Sequence, residues 1–147
     1  MPSAVGPHAP ADPSGSPDLA SFPVLWIFGP PGVGKTSVAW RIFTALQRDE
    51  TRSGYVDIDQ LGISYPARSD DPGRHRLQVA NLAAVIDTYR SARARCVVVS
   101  GVVDAEREVT SDQLPGVTIT WCRLRADRTE LTQRLDGGEV QYDVNPR

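Results

Sequence analysis

Lysine is almost missing from this chain. Sixteen of its 147 residues are basic, yet only one of them, Lys35, is a lysine, and the other fifteen are arginines. The formal net charge is −2 and the isoelectric point lies near 5.6. That balance argues against a nucleic-acid binder, which usually lays a basic stripe along phosphate. Cysteine is scarce too. Cys96 and Cys122 lie in separate apolar runs without metal-ligand spacing, as expected of small buried hydrophobes in a reducing compartment. No apolar stretch approaches the roughly 20 residues needed to span a bilayer, which speaks against a membrane partner. The N-terminal "MPSAVGPHAPADPSGSPDLASF" has neither a charged leader nor an apolar core, so it does not read as a secretion signal. The expected compartment is the cytoplasm. Five of the twelve prolines fall in this stretch, and residues 1–22 read as a disordered Pro/Ser/Ala-rich tail.

What the chain does have starts at "PVLWIFGPPGVGKTSVAWRIFTALQ". Val24 to Phe28 form a continuous apolar run, the mark of a strand covered on both faces. Val38, Ala39, Ile42, Phe43 and Leu46 then recur at helical spacing. Between strand and helix stands "GPPGVGKT", residues 29–36, a complete match to the G-x-x-x-x-G-K-[ST] phosphate-binding loop. The pattern arises by chance in below roughly 1% of chains this long. Its glycines let backbone N–H groups crowd around phosphate oxygens, and the following helix aims its positive end at the same place. Gly29, Pro30, Pro31, Gly32, Val33, Gly34, Lys35, Thr36 and Ser37 are therefore the expected nucleotide-binding residues. Lys35 would reach the β- and γ-phosphates of ATP, and Thr36 would ligate Mg²⁺. The chain's one ammonium stands where a compact point charge is needed and a planar guanidinium would not fit.

The alternation continues. Residues 54–59, "GYVDID", read as a second strand whose period places Asp57 and Asp59 on one face. A helix is expected from about Arg74 to Arg93, with Leu82, Val85, Ile86 and Tyr89 at helical spacing. "RCVVVSG" (95–101) and "VTITWCRL" (117–124) read as the third and fourth strands. A last helix is expected over 127–135, with Asp127 as N-cap and Glu130 as its capping-box partner. Repeated strand–helix units give an α/β fold of the P-loop NTPase type, a mostly parallel sheet of about four strands flanked by helices. The domain would span residues 23–136, followed by an irregular tail over 137–147. Ligands of such sheets sit at the carboxyl ends of the strands. There two neighbouring carboxylates are tolerable, because a Mg²⁺–triphosphate supplies the opposing charge.

With these residues in place, the chain resembles the small P-loop kinases that phosphorylate metabolite or drug hydroxyls, of the shikimate kinase, gluconate kinase and chloramphenicol phosphotransferase type. The resemblance implies transfer of the γ-phosphate of Mg-ATP to a small-molecule hydroxyl. Asp57 would support Mg²⁺, and Asp59 would bind the acceptor and serve as base. Arg74 or Arg76 would hold the acceptor, Ser100 and Gly101 would line its pocket, and Arg134 would stack on adenine. His8 and His75 receive no role. Two rivals fit less well. "DQLG" (59–62) matches the D-x-x-G of GTPases, but the lysine-containing guanine reader has no lysine to use. A motor ATPase wants an acid directly ending an apolar strand, and "CVVVSG" ends without one.

The likeness covers residues 23 to about 135. Beyond that the resembling kinases carry an arginine-bearing lid, a fifth strand and a final helix, whereas this chain has "LDGGEVQYDVNPR". The departure suggests a truncated kinase, a degenerate remnant, or a module that binds nucleotide without efficient transfer. The acceptor and the oligomeric state cannot be read from the residues.

Overall fold

The computed structural model describes residues 21–102, 112–129, 132 and 133. Four strands, β1 (Phe22–Phe28), β2 (Ser53–Asp57), β3 (Cys96–Ser100) and β4 (Val117–Arg123), form one sheet in the order β2-β3-β1-β4. Every pairing is parallel, with Trp26 beside Val99 of β3 and Trp121 of β4. The expected α/β architecture is therefore present. Its first strand starts at Phe22, one residue before the expected domain boundary, and Phe22 is buried.

Two helices cover the sheet. Helix α1 (Lys35–Arg48) buries Ala39 against Ile27 and Val98, with Val38, Ile42 and Leu46 packed around them. Helix α2 (His75–Ser91) buries Leu82 and Ile86 against Val24, Trp26, Val97 and Val99. Successive β1 residues thus serve opposite layers, Leu25 and Ile27 toward α1, Val24 and Trp26 toward α2. This two-sided covering is the reason the central strands read as unbroken apolar runs rather than alternating ones.

The sheet's lateral strands are β2 and β4. On β4, Trp121 stacks on Trp26 with ring centroids 4.9 Å apart and meets Phe28 edge-on at 5.9 Å. The Trp26 indole N–H is buried and has no hydrogen-bond acceptor among the described residues. Cys96 and Cys122 are unbridged and half-buried rather than fully buried, since both lie near strand ends. Burial pushes the Cys96 thiol up, against the opposing charge of Arg95. After β4, residues 128–129 and 132–133 are helical, and Asp127 caps them by accepting from the Thr129 amide at 3.1 Å. The expected capping partner Glu130 and the tail over 137–147 lie outside the described residues.

Candidate nucleotide-binding site

Because all four strands run the same way, their carboxyl ends share one rim, and the expected site residues gather there from β1, β2 and β3. The loop of residues 29–34 leaves β1 and enters α1 through Gly34, which caps the helix with φ 96°. Left-handed backbone of this kind is open to glycine at no steric cost, so the spacing of the motif is met by the conformation it needs. The loop folds on itself through Val33 N–H, which donates to the Pro30 carbonyl at 3.3 Å. Val33 itself is buried and anchors the loop.

Lys35 opens α1 and turns back over the loop. Its Nζ donates to the carbonyls of Gly29 and Pro30, each at 3.0 Å. The ammonium thereby sits on the loop it would share with phosphate oxygens. Thr36 and Ser37 follow on the first turn of α1, half-buried and exposed respectively.

The two acids do not share a strand face as expected. Strand β2 ends at Asp57, and the chain then turns into a 3-10 helix, Ile58–Gly62. Asp57 drives the turn, because its Oδ1 accepts from the Asp59 N–H at 3.0 Å, satisfying a donor that the 3-10 helix leaves open. Ile58 is tucked into the core beneath it, only 2% exposed. The carboxylates nevertheless remain neighbours. Asp57 is half-buried, and burial raises its pKa. The amide of Asp59 opposes that rise, the Asp59 carboxylate adds to it, and the Lys35 ammonium opposes it again. Lys35, Asp57 and Asp59 are thus close enough for their charges to act on one another.

Gly101 completes this corner. A methyl group placed on it would overlap Cγ2 of Ile58 and lie 3.4 Å from Oδ1 of Asp59, so the β3 end is pressed directly against the acidic turn. Its amide donates to the Ile27 carbonyl at 3.2 Å, tying the corner to β1. Ser100 departs from the expectation that it lines an acceptor pocket. It is 1% exposed, and its hydroxyl is bonded to the Tyr55 hydroxyl at 2.8 Å. As the last residue of a central strand it points into a layer, while the following glycine reaches the rim.

The two arginines expected to hold an acceptor are placed differently from each other. Arg74 precedes α2 and donates its Nε to the Ser64 carbonyl at 3.1 Å, bracing the loop after the 3-10 helix. Arg76 is exposed and lies 3.9 Å from Asp70, which Arg68 grips with two bonds of 2.9 Å. Arg68, Asp70, Asp71, Arg76, Leu77 and Ala80 wall a cavity of about 240 Å³. Asp71 had not been singled out by sequence. It is buried, and its carboxylate accepts from the amides of Arg76 at 3.2 Å and Leu77 at 3.0 Å. Burial works against the ionised form, but these amides and that of His75 outweigh it and lower its pKa. An acid ahead of Pro-Gly at a helix start was the available signal. The expected adenine contact, Arg134, lies outside the described residues.

Among the described residues there is no group of three or more His, Cys, Asp or Glu able to cage a metal, and no helix long and apolar enough to cross a membrane.

No family model and no curated protein matches the chain. Solved structures do. The crystal structure of APE1195 is similar at a TM-score of 0.56 and 24% identity, over 82% of this chain and 69% of that one. The unliganded structure of a sugar kinase from Janibacter sp. HTCC2649 is similar at 0.51 and 19% identity, over 81% and 68%. The APS kinase CysC of Mycobacterium tuberculosis aligns at 0.48 and 20% identity, over 80% and 94%. The first two establish a shared fold, in which a kinase is represented.

Proposed function

We propose that this protein is an ATP-dependent phosphotransferase that moves the γ-phosphate of Mg-ATP to a hydroxyl of a small molecule. One observation carries the reading. A complete phosphate-binding loop with the chain's single lysine stands at the same rim as Asp57 and Asp59, within electrostatic reach of Asp57.

Each group then has a task. Backbone amides of Gly32, Gly34 and Lys35, with the start of α1, cradle phosphate oxygens. The Lys35 ammonium exchanges its loop carbonyls for the β- and γ-phosphates, a charge-assisted contact stronger than the neutral ones it leaves. Thr36 and Asp57 are the residues that would hold Mg²⁺. The donor set fits, because it pairs a hydroxyl with a carboxylate that burial has left short of compensating charge. When bound, Mg²⁺ neutralises charge on the transferring phosphate. Asp59 is exposed beside Gly101, where it can accept the proton of an acceptor hydroxyl as that oxygen takes the phosphoryl group.

Titration calorimetry with ATP, with and without Mg²⁺, followed by an ADP-release screen over alcohols, sugars and nucleosides, tests the assignment. Mg-dependent ATP binding and ADP release with at least one acceptor are expected. Binding without release on any acceptor would make the protein a nucleotide-binding module, and no Mg-dependent binding would sink the reading altogether.

A further inference from the structure

Tyr55 is not one of the site residues, yet three elements of the site's frame meet on it. Its ring packs into the α1 layer with Ile27, Ala39 and Val98. Trp40 meets it edge-on with ring centroids 5.8 Å apart, and Phe43 lies at 6.4 Å. Both belong to α1, the helix that opens with Lys35 and Thr36. At the far end of the ring, the Tyr55 hydroxyl is bonded to the Ser100 hydroxyl at 2.8 Å. Ser100 is 1% exposed, so solvent does not stand in for that partner.

The bond runs diagonally across two strands. Tyr55 is the Cα partner of Val98, and its hydroxyl reaches two residues further along β3 to Ser100. Ser100 in turn is the Cα partner of Asp57 on β2 and of Ile27 on β1. Residues two apart on a strand share a face, so Asp57 and Ser100 stand on the α1 side as Tyr55 and Val98 do. The row that carries Asp57 at one end and leads into the glycine-rich loop at the other is thus tied from beneath by one hydroxyl pair.

Resting on the reading of Thr36 and Asp57 as the residues that hold Mg²⁺, we propose that Tyr55 and Ser100 are positioning residues for that pair. The Tyr55 ring sets α1, and with it Thr36, against β2. The hydroxyl bond sets the height of Asp57 on β2 relative to β3 and β1. Mg²⁺ tolerates little departure from octahedral ligand placement, so it registers displacements that phosphate on a glycine-rich loop does not. Outer groups that bond metal ligands directly are worth about 10–100-fold in metal affinity. This pair acts at one remove, through the strand backbone, and its loss should cost about threefold to tenfold.

Calorimetry on the full chain, with ATP in Mg²⁺ and with ATP in EDTA, tests this through the ratio of the two affinities. Tyr55→Phe keeps the ring and removes only its hydroxyl, and Ser100→Ala removes the other half of the bond. Each should lower the ratio about threefold or more while leaving affinity for ATP in EDTA within about twofold of the parent. The double variant should lose no more than either single one, because both break the same bond. Ile86→Val, which loosens the α2 layer, should melt lower than the parent and keep its ratio. An unchanged ratio in either Tyr55→Phe or Ser100→Ala, whatever its melting point, overturns the proposal and makes the pair a packing bond. So does an equal loss of ratio in Ile86→Val, or losses that add in the double variant. A parent that binds ATP no better with Mg²⁺ than in EDTA removes the reading of Thr36 and Asp57, and the proposal with it.

Discussion

Replacing Asp57 with asparagine should stabilise the nucleotide-free protein and damage its function. The structure supplies both halves of that expectation. Burial is the largest influence on Asp57 and raises its pKa, while Lys35 and the Asp59 amide offset the rise only in part. A carboxyl whose native pKa is raised binds its proton more readily folded than unfolded. Its contribution to stability is therefore present at low pH and lost as pH rises through the raised value, so at neutral pH the ionised group is a net cost. Asparagine removes the charge, yet its side-chain oxygen can still accept from the Asp59 N–H, because Asn caps helices about as well as Asp. Solvent reaches the site, so the gain should be modest, about 0.5 kcal/mol. For a domain of this size that is roughly 1–3 °C in Tm. The difference between variant and parent should vanish as pH falls into the carboxylate range.

Thermal melts with and without Mg-ATP would read both effects at once. Without ligand, Asp57→Asn should melt higher than the parent at neutral pH. With Mg-ATP in excess the order should reverse, because the parent's carboxylate gains a cation and the amide does not. A tenfold loss of affinity corresponds to about 1.4 kcal/mol of lost ligand stabilisation, enough to outweigh the gain. The reasoning is refuted if Asp57→Asn melts lower without ligand at every pH, since the carboxylate would then be a structural asset rather than a strained one.

Further outcomes follow from the same corner. Lys35→Ala should weaken Mg-ATP binding at least tenfold by calorimetry, about 1.4 kcal/mol, and unchanged affinity would count against the nucleotide assignment. Asp59→Asn should leave Mg-ATP affinity within about twofold of the parent and abolish ADP release, because an amide cannot take the acceptor's proton. Gly101→Ala forces a methyl into Ile58 at a residue with φ 142°. It should cost about 1–3 kcal/mol, read as a lower urea midpoint.

Most of the fold was legible because its signals are local and redundant. Val97, Val98 and Val99 leave a strand little alternative, and Ala39, Leu82 and Ile86 fell on the helix faces that periodicity named. The conformation of the glycine-rich loop between β1 and α1 was legible for a different reason. Its glycine spacing encodes backbone conformation directly, as the φ of 96° at Gly34 shows. The side-chain bonds at Ser100 and Arg74 were not legible, because they depend on which layer a residue faces and on a partner 45 and 10 positions away. No local pattern carries that information.

The acidic pair shows where the two kinds of signal part. Period-two reasoning put Asp57 and Asp59 on one strand face, whereas the strand ends at Asp57 and Asp59 belongs to the 3-10 turn that follows. An aspartate can serve as a strand's last residue or as the cap of the turn that follows, and sequence does not say which. The choice was made by packing: Ile58 is 2% exposed and fills the space against Gly101, which a continued strand would not have delivered there. The turn also alters what the pair can do. On a flat strand face both carboxylates would meet a ligand from the same side. Here one carboxylate is half-buried, near Lys35 and bonded to the next turn's amide, and the other is exposed at the tip of the 3-10 helix. Two acids in different surroundings can divide metal support from proton acceptance, the division that the proposed phosphoryl transfer to a hydroxyl would use.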